Sequence, residues 1–337
     1  MTLRAVLLAG LLACAGPAAA LAQGLTVAVK PGATGEALLH VYVDPFVATG
    51  TKVSVLQRDS VPFTAGDAGA GADVVQLGGQ SLLAACAKGD VRKLDWKAIG
   101  NRDRLLPEAV TECGEGAYAN AIVLSWDRGK FQGTPSWQDF WDVAKVPGKR
   151  GLRRTPRGTL EIALLADGVA PGDVYHVLGT KEGIDRAFRR LDQLQPYIVW
   201  WTPGKDDAAH LLRSGAVLMS SAPAAEVVRA DRSGGHAFGV QWNGGLVTLG
   251  YWAIPKDAPN LAAAQTFLAF ASDPKVQSAL PRLGALGGVA KDANKSLAPD
   301  MAAVSPTANE GTLLLDEGFW QKHGVELQAR FDAWLAR

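Results

Sequence analysis

Five histidines, three methionines and three cysteines among 337 residues leave little from which to build a metal or redox centre. His40, His176, His210, His236 and His323 are scattered, no two of them four residues apart, and no HExxH run occurs, so the usual zinc spacing is missing. A GxSxG elbow that would carry a nucleophilic serine is also absent. So are a Walker loop and a strand that runs into GxGxxG. The pairs Gly78-Gly79, Gly234-Gly235, Gly244-Gly245 and Gly287-Gly288 are too short to cradle a phosphate and read as turns. Charge of one sign is not in excess either, with 34 Lys+Arg against 33 Asp+Glu. Nucleic acid needs a basic surplus gathered on one face and is excluded as the main partner. An acidic tail and a polybasic membrane patch are excluded with it. Catalysis, a metal and a cofactor have no positive signal, and none of them is expected.

Long apolar runs are scarce too. The one at the N-terminus, Ala5 to Gly16, follows a short start carrying one positive charge, Arg4, and precedes Ala18-Ala-Ala-Leu-Ala22. That three-part order reads as a secretory signal, with Ala20 and Ala22 at the −3 and −1 positions of a cut near Ala22. The run is shorter than the roughly 20 residues a helix needs to cross a bilayer. Leu11-Leu-Ala-Cys14 resembles a lipoprotein box, so lipidation at Cys14 stands as the alternative. Export places the chain in the periplasm. Cleavage leaves Cys86 and Cys113, which in an exported chain are expected to pair as a disulfide. A metal or redox pair would want a CxxC or a nearby histidine, and neither is there.

What is present is core-forming material: 48% hydrophobic and 20% charged residues, in a chain long enough for two domains. Leu25-Thr-Val-Ala-Val29, Lys52-Val-Ser-Val-Leu56 and Asp73-Val-Val-Gln-Leu77 read as strands, with helices over 36–47 and from Gly79 through Ala85. Ala121-Ile-Val-Leu-Ser-Trp126 closes this first unit. A second opens at Ser136-Trp-Gln-Asp-Phe-Trp141 and alternates helices (159–167, 171–178, 181–194, 206–214) with strands (197–201, 216–220). A strand over 247–254 follows, then helices over 260–271 and 274–281 and a terminal helix through Trp334. Such alternation builds an α/β fold with a parallel sheet, and two lobes in one chain leave a cleft where small ligands bind. The stretch Ala65 to Ala72 reads as a loop.

From about Ala84 onward the chain resembles the extracellular solute-binding proteins of ABC importers, in the spermidine/putrescine-binding-like family. The resemblance rests on Cys86-Ala-Lys-Gly-Asp90, Leu94-Asp-Trp-Lys-Ala-Ile99, Cys113-Gly114 and Pro135-Ser-Trp-Gln-Asp-Phe-Trp-Asp-Val143. It continues through the 147–168 stretch, Tyr251-Trp-Ala-Ile-Pro-Lys256 and Phe267-Leu-Ala-Phe-Ala-Ser272. The cysteine pair recurs in relatives. The resemblance implies a two-lobe periplasmic binding fold, type II-like, with hinge crossovers at 121–126 and 247–254. Lobe one would hold residues 25–126 and 250–300, and lobe two 127–249, with the terminal helices of 301–337 packing on it. It implies a small-molecule ligand, an ABC permease as membrane partner and no enzymatic activity; a monomer is expected.

The ligand is where this chain departs from polyamine binders, which resemble one another in an aromatic box for methylenes and carboxylates for ammonium ends. The loop after the first strand, Lys30-Pro-Gly-Ala-Thr34, has no aromatic and adds a positive charge. The aromatic expected after the 216–220 strand is Pro223, the acid expected before Tyr251 is Gly250, and the aromatic expected near Gly287 is Leu286. Glu161 is left as the one polyamine-type carboxylate.

Lys30, Gly32, Thr34 and Gly35 in one lobe face Thr155, Arg157, Gly158 and Thr159 in the other, both sets just before helices, where an anion is favoured. Arg157 is positioned to grip a carboxylate, with Arg153 and Arg154 more readily a solvated face. A ligand with an anionic group, an amino or organic acid, is expected. Gly/Thr-rich capping loops remain the plainer alternative. Gln80, Trp201, Ser221 and Tyr251 complete the candidate contacts, whereas Trp137 and Trp141, four apart, read as core. Genuine putrescine or spermidine binding, a sensor subunit and an exported enzyme on the same fold stay as alternatives.

Overall fold

The computed structural model describes residues 24–58, 71–204, 207–234 and 237–337. The signal segment, Cys14, Asp206, His236 and most of the 65–72 loop lie outside them. Among the described residues nine strands form one sheet: β1 (Leu25–Val29), β2 (Val53–Gln57), β3 (Val74–Gly78), β4 (Gly114–Asp127), β5 (Arg150–Arg153), β6 (Ile198–Trp201), β7 (Met219–Pro223), β8 (Phe238–Ala253) and β9 (Leu313–Leu314). Their order is β2-β1-β3-β8-β4-β7-β5-β6, with β9 beside β8. Short strands built of Leu, Val and Ala, such as β1, are buried on both faces, which is why they read as unbroken apolar runs.

The expected all-parallel sheet is mixed. β1 pairs in parallel with β2 and β3, and β5 with β6 and β7, but β3–β8, β4–β7 and β4–β8 are antiparallel. The antiparallel pairs all involve β4 or β8, which are long, 14 and 16 residues. Each runs through both halves of the sheet. Thus the strands expected at 121–126 and 247–254 are only the ends of these two, and the strand expected at 216–220 lies at Met219–Pro223. β5 escaped the apolar pattern because Arg150-Gly-Leu-Arg has one apolar side chain.

Proline sets the breaks in the helices. The expected 36–47 helix is Ala33–Leu38, a π-helical turn Leu39–Val43, and Asp44–Val47 containing Pro45. Likewise 274–281 divides into Pro274–Gln277 and Leu280–Gly284 around Pro281. The Lys181–Leu194 helix holds its expected limits, since Thr180 caps it by accepting from the Gly183 N–H at 3.0 Å and Ala187, Phe188, Leu191 and Leu194 line its buried face.

Trp137 and Trp141 are core, their indoles donating to the carbonyls of Gly244 (3.0 Å) and Arg190 (2.9 Å). The terminal helix, Glu317–Leu335, docks on the second half of the molecule: Trp320 donates to Glu161 and Trp334 to Asp192, each at 2.7 Å. The stretch before it behaves differently. Thr307 donates to the Gly288 carbonyl (2.8 Å) and Ser305 to Asn294 (3.3 Å), both on the first half.

Cys86 and Cys113 form a disulfide, with Cα atoms 5.8 Å apart. Among the described residues the one grouping of His, Cys, Asp and Glu dense enough for a metal is Cys86, Glu112 and Cys113, and the disulfide consumes its two thiols. Closing a loop of 27 residues restricts the unfolded chain by about 3.5 kcal/mol on the chain-entropy account. Reduction is therefore expected to lower the melting temperature, and an unchanged melting curve in reductant would refute this.

Glu115, on β4, is fully buried and neither carboxylate oxygen has a hydrogen-bond partner. Burial pushes its pKa well above the usual carboxylate range. A folded-state pKa raised in this way means that the unfolded chain releases the proton first. Stability then falls as pH rises above about 4.3, the ordinary glutamate value. Glu115→Gln is expected to raise the melting temperature at pH 7 and flatten its dependence on pH between 5 and 8; a steeper or unchanged pH profile would contradict the assignment.

Candidate ligand-binding cleft

Where the two halves meet, β4 and β8 form the floor of a cleft. Asn120 lies opposite Thr248 and Tyr118 opposite Gly250, and the two-residue period sends these side chains to the same face. Two adjoining cavities of about 440 and 450 Å³ share Gly78, Tyr118 and Asn120, and a third of about 210 Å³ continues past Asn120 and Thr248 towards Ser221. One large cavity extends over the β1 loop and the other over the end of β5.

Tyr118 is held by a relay. The Lys30 backbone N–H donates to Gln76 Oε1 (3.0 Å), and Gln76 Nε2 donates to the Tyr118 hydroxyl (2.8 Å). Since the hydroxyl accepts from Gln76, its own hydrogen is left for a ligand. Burial keeps it protonated, with a pKa pushed up to about 12 against the opposing effect of the Gln76 bond. Asn120 spends its Oδ1 on the Ala121 N–H (2.8 Å), which leaves its amide as a second donor.

Gly250 makes this floor possible. A Cβ there would stand 2.2 Å from Tyr118 Cε1. The ring thus occupies the place where a side chain at position 250 would enter the cleft.

Two arginines close one side. Arg153 ends β5 opposite Trp201, and its guanidinium lies 5.9 Å over the Trp201 ring. Among the described residues that guanidinium has no hydrogen bond or ion pair. Burial lowers its pKa, and the neighbouring Arg157 charge lowers it further against the attraction of Glu226. Arg157 differs: its two terminal nitrogens each donate to one oxygen of Glu317 at 2.7 Å. Burial disfavours its charge, but the Glu317 bonds and charge outweigh that and raise its pKa.

Glu226, at the start of the Ala224–Arg232 helix, lines the third cavity together with Arg153. Its Oε2 is buried with no hydrogen-bond partner. Burial, then the Asp207 charge, raises its pKa, with Arg229 and Arg153 pulling the other way. Among the described residues the cleft therefore offers a guanidinium and a carboxylate oxygen without hydrogen-bond partners, with the neutral donors of Tyr118 and Asn120 lining the same cavities.

Residues 49–307 match the sequence profile of the bacterial extracellular solute-binding proteins. The chain belongs to that family. A gamma-aminobutyric acid-binding protein of Pseudomonas aeruginosa is 38% identical over 335 residues, covering 97% of this chain and 95% of the relative. A substrate-binding protein of an ABC transporter from Bradyrhizobium japonicum superposes with a TM-score of 0.80 at 30% identity, over 92% of this chain and 99% of that one. A GABA receptor structure superposes with 0.77 at 28% identity, over 93% and 97%. The two halves are thus the lobes of a periplasmic binding protein, and the molecule is a receptor for ABC transport, not an enzyme.

The fold of this solute-binding protein brings Lys30, Gly32, Thr34, Gln80, Thr155, Arg157, Gly158, Thr159 and Ser221 to the walls of the cleft. Four sequence candidates lie elsewhere. Gly35 is buried where a Cβ would meet the Lys30 carbonyl at 1.8 Å, so it lets the β1 loop fold back. Glu161 is in the core, accepting from the Gly158 N–H (2.8 Å), Tyr175 (2.8 Å) and Trp320 (2.7 Å). Trp201 is buried as the platform beneath Arg153, and Tyr251 points away, donating to the Glu108 carbonyl at 3.1 Å.

Sequence reasoning did not single out Gln76, Tyr118, Asn120, Glu226, Thr248 and Glu317, which also line these cavities, and it read Arg153 as more readily a solvated face, whereas its guanidinium lies over the Trp201 ring. The period of two carried back from Ile122 would have put Asn120 and Tyr118 on one face. Gly250→Ala is expected to displace the Tyr118 ring and weaken ligand binding by at least tenfold; calorimetric titration showing wild-type affinity would remove Tyr118 from the site.

Proposed function

We propose that this receptor captures a small amino acid whose ammonium and carboxylate stand apart, of the kind of GABA, and delivers it to an inner-membrane permease. The observation that carries the reading is the pairing of two unsatisfied charges of opposite sign in one cleft, Arg153 and Glu226. Arg153 would take the carboxylate with help from the Tyr118 hydroxyl and the Asn120 amide, and Glu226 the ammonium. Desolvated charges left without partners are costly, so a ligand that satisfies both gains from each. The gamma-aminobutyric acid-binding relative supports the same ligand class.

A polyamine fits less well. Both of its ends need carboxylates, yet Glu161 is sealed in the core, position 250 is glycine and Glu317 is engaged by Arg157. Arg153 would repel a dication. Ligand held between the lobes, with the second lobe taken as 127–249 and the 301–309 stretch assigned to the first, draws them together by touching both.

A thermal-shift screen of the mature chain against GABA, other amino acids, small carboxylates, putrescine and spermidine tests the reading, because a ligand of the folded state raises the midpoint. A shift with ω-amino acids is expected. A shift confined to polyamines would overturn it. Arg153→Ala should weaken binding by about 1.5–3 kcal/mol, the range of a charged hydrogen bond. Glu226→Gln should do so for GABA but not for a simple carboxylate such as butyrate. Because the Glu226 pKa is raised, GABA affinity should fall on acidification at a higher pH than an ordinary carboxylate would dictate.

A further inference from the structure

Two guanidinium groups line the same cavity, yet only one is unsatisfied. Arg157 is gripped in bidentate fashion by Glu317, the first residue of the terminal helix. That carboxylate comes from a helix seated on the second lobe and reaches across to the first. A Cβ on Gly79 would stand 2.6 Å from Glu317 Cγ and 2.8 Å from its Oε1. Gly79 opens the Gly79–Lys88 helix, and the absence of a side chain there is what lets Glu317 lie against it. Both partners are mostly shielded, with side chains 22% and 15% exposed. Asp316, which caps the terminal helix by accepting from the Phe319 N–H at 2.9 Å, fixes where Glu317 starts.

We propose that Glu317 is a specificity-determining residue: its carboxylate is a built-in substitute for a ligand carboxylate on Arg157, so the cleft accepts one ligand carboxylate and rejects dicarboxylates. This rests on the reading that Arg153 receives a ligand carboxylate. Without Glu317, Arg153 and Arg157 would repel one another in a shielded cavity and invite an anion with two carboxylates. With it, a second ligand carboxylate meets a fixed negative charge and loses both its partner and its space.

The test compares wild type, Glu317→Ala, Glu317→Ser and the double variant Glu317→Ala with Arg157→Ala, titrated calorimetrically with GABA, glutarate and L-glutamate. Wild type is expected to bind GABA and neither dicarboxylate. Glu317→Ala should gain at least tenfold in affinity for glutarate or L-glutamate, and the double variant should lose that gain. Wild type that binds glutarate as well as GABA, a single variant that keeps GABA binding and gains nothing, or a gain that survives loss of Arg157 would each overturn the proposal. The GABA titration of wild type decides the amino-acid reading by itself.

Acetate gives an independent measurement that needs no cognate ligand. It should raise the melting temperature of Glu317→Ala and Glu317→Ser more than that of wild type, by refilling the place on Arg157. Equal shifts in all three proteins, or failure of both variants to fold even in acetate, would make Glu317 a structural pin and overturn the proposal.

Discussion

The antiparallel pairing of β4 with β8 is the constraint from which the rest of the structure follows. Residues 114–127 run against 253–238 through both lobes, so each lobe is completed by one end of the same two strands. Three short strands add to one side, β3, β1 and β2, and three to the other, β7, β5 and β6. The cleft opens over the middle stretch of these strands, along Tyr118 and Asn120 on one and Thr248 to Gly250 on the other. The proposed ligand site is thus built into the element that joins the lobes.

Charge placement within that space is controlled by what each ionisable group already touches. Glu161 has three donors and a core position, so it serves the packing of the terminal helix. Arg157 has its carboxylate. Arg153 rests on an aromatic face and Glu226 Oε2 has no hydrogen-bond partner among the described residues, which is why the proposed ligand is assigned to these two. Glycine at 250 is the counterpart of these choices, because the floor needs the tyrosine ring of residue 118 more than it needs a charge.

Much of the architecture was legible in local pattern. Leu25–Val29 and Lys181–Leu194 lie where apolar periodicity and a capping threonine put them. The α/β class, the lobed cleft and the cysteine pair also followed from the chain. The interior of the site did not. Arg153 and Arg157 look alike in a run of basic residues, and the difference between them is made by Glu317, 160 positions away. Tyr118 and Asn120 sit after Gly114-Glu-Gly116, a glycine-rich stretch that hides the start of β4. The mixed sheet was unreadable for a related reason: strand direction is set by pairing at long range, and no local signal records it.

The pairing of β4 and β8 slips in register twice, between Gly116 and Tyr118 and again between Ile122 and Leu124. Such irregularities bend and twist a strand locally. Tyr118 and Asn120 are enclosed between the two. Away from that floor, Arg232 donates to the Arg282 carbonyl at 3.1 Å. If the lobes turn about this bent stretch on binding, as the proposed function requires, the Arg232–Arg282 contact between them is one that such a turn would make or break.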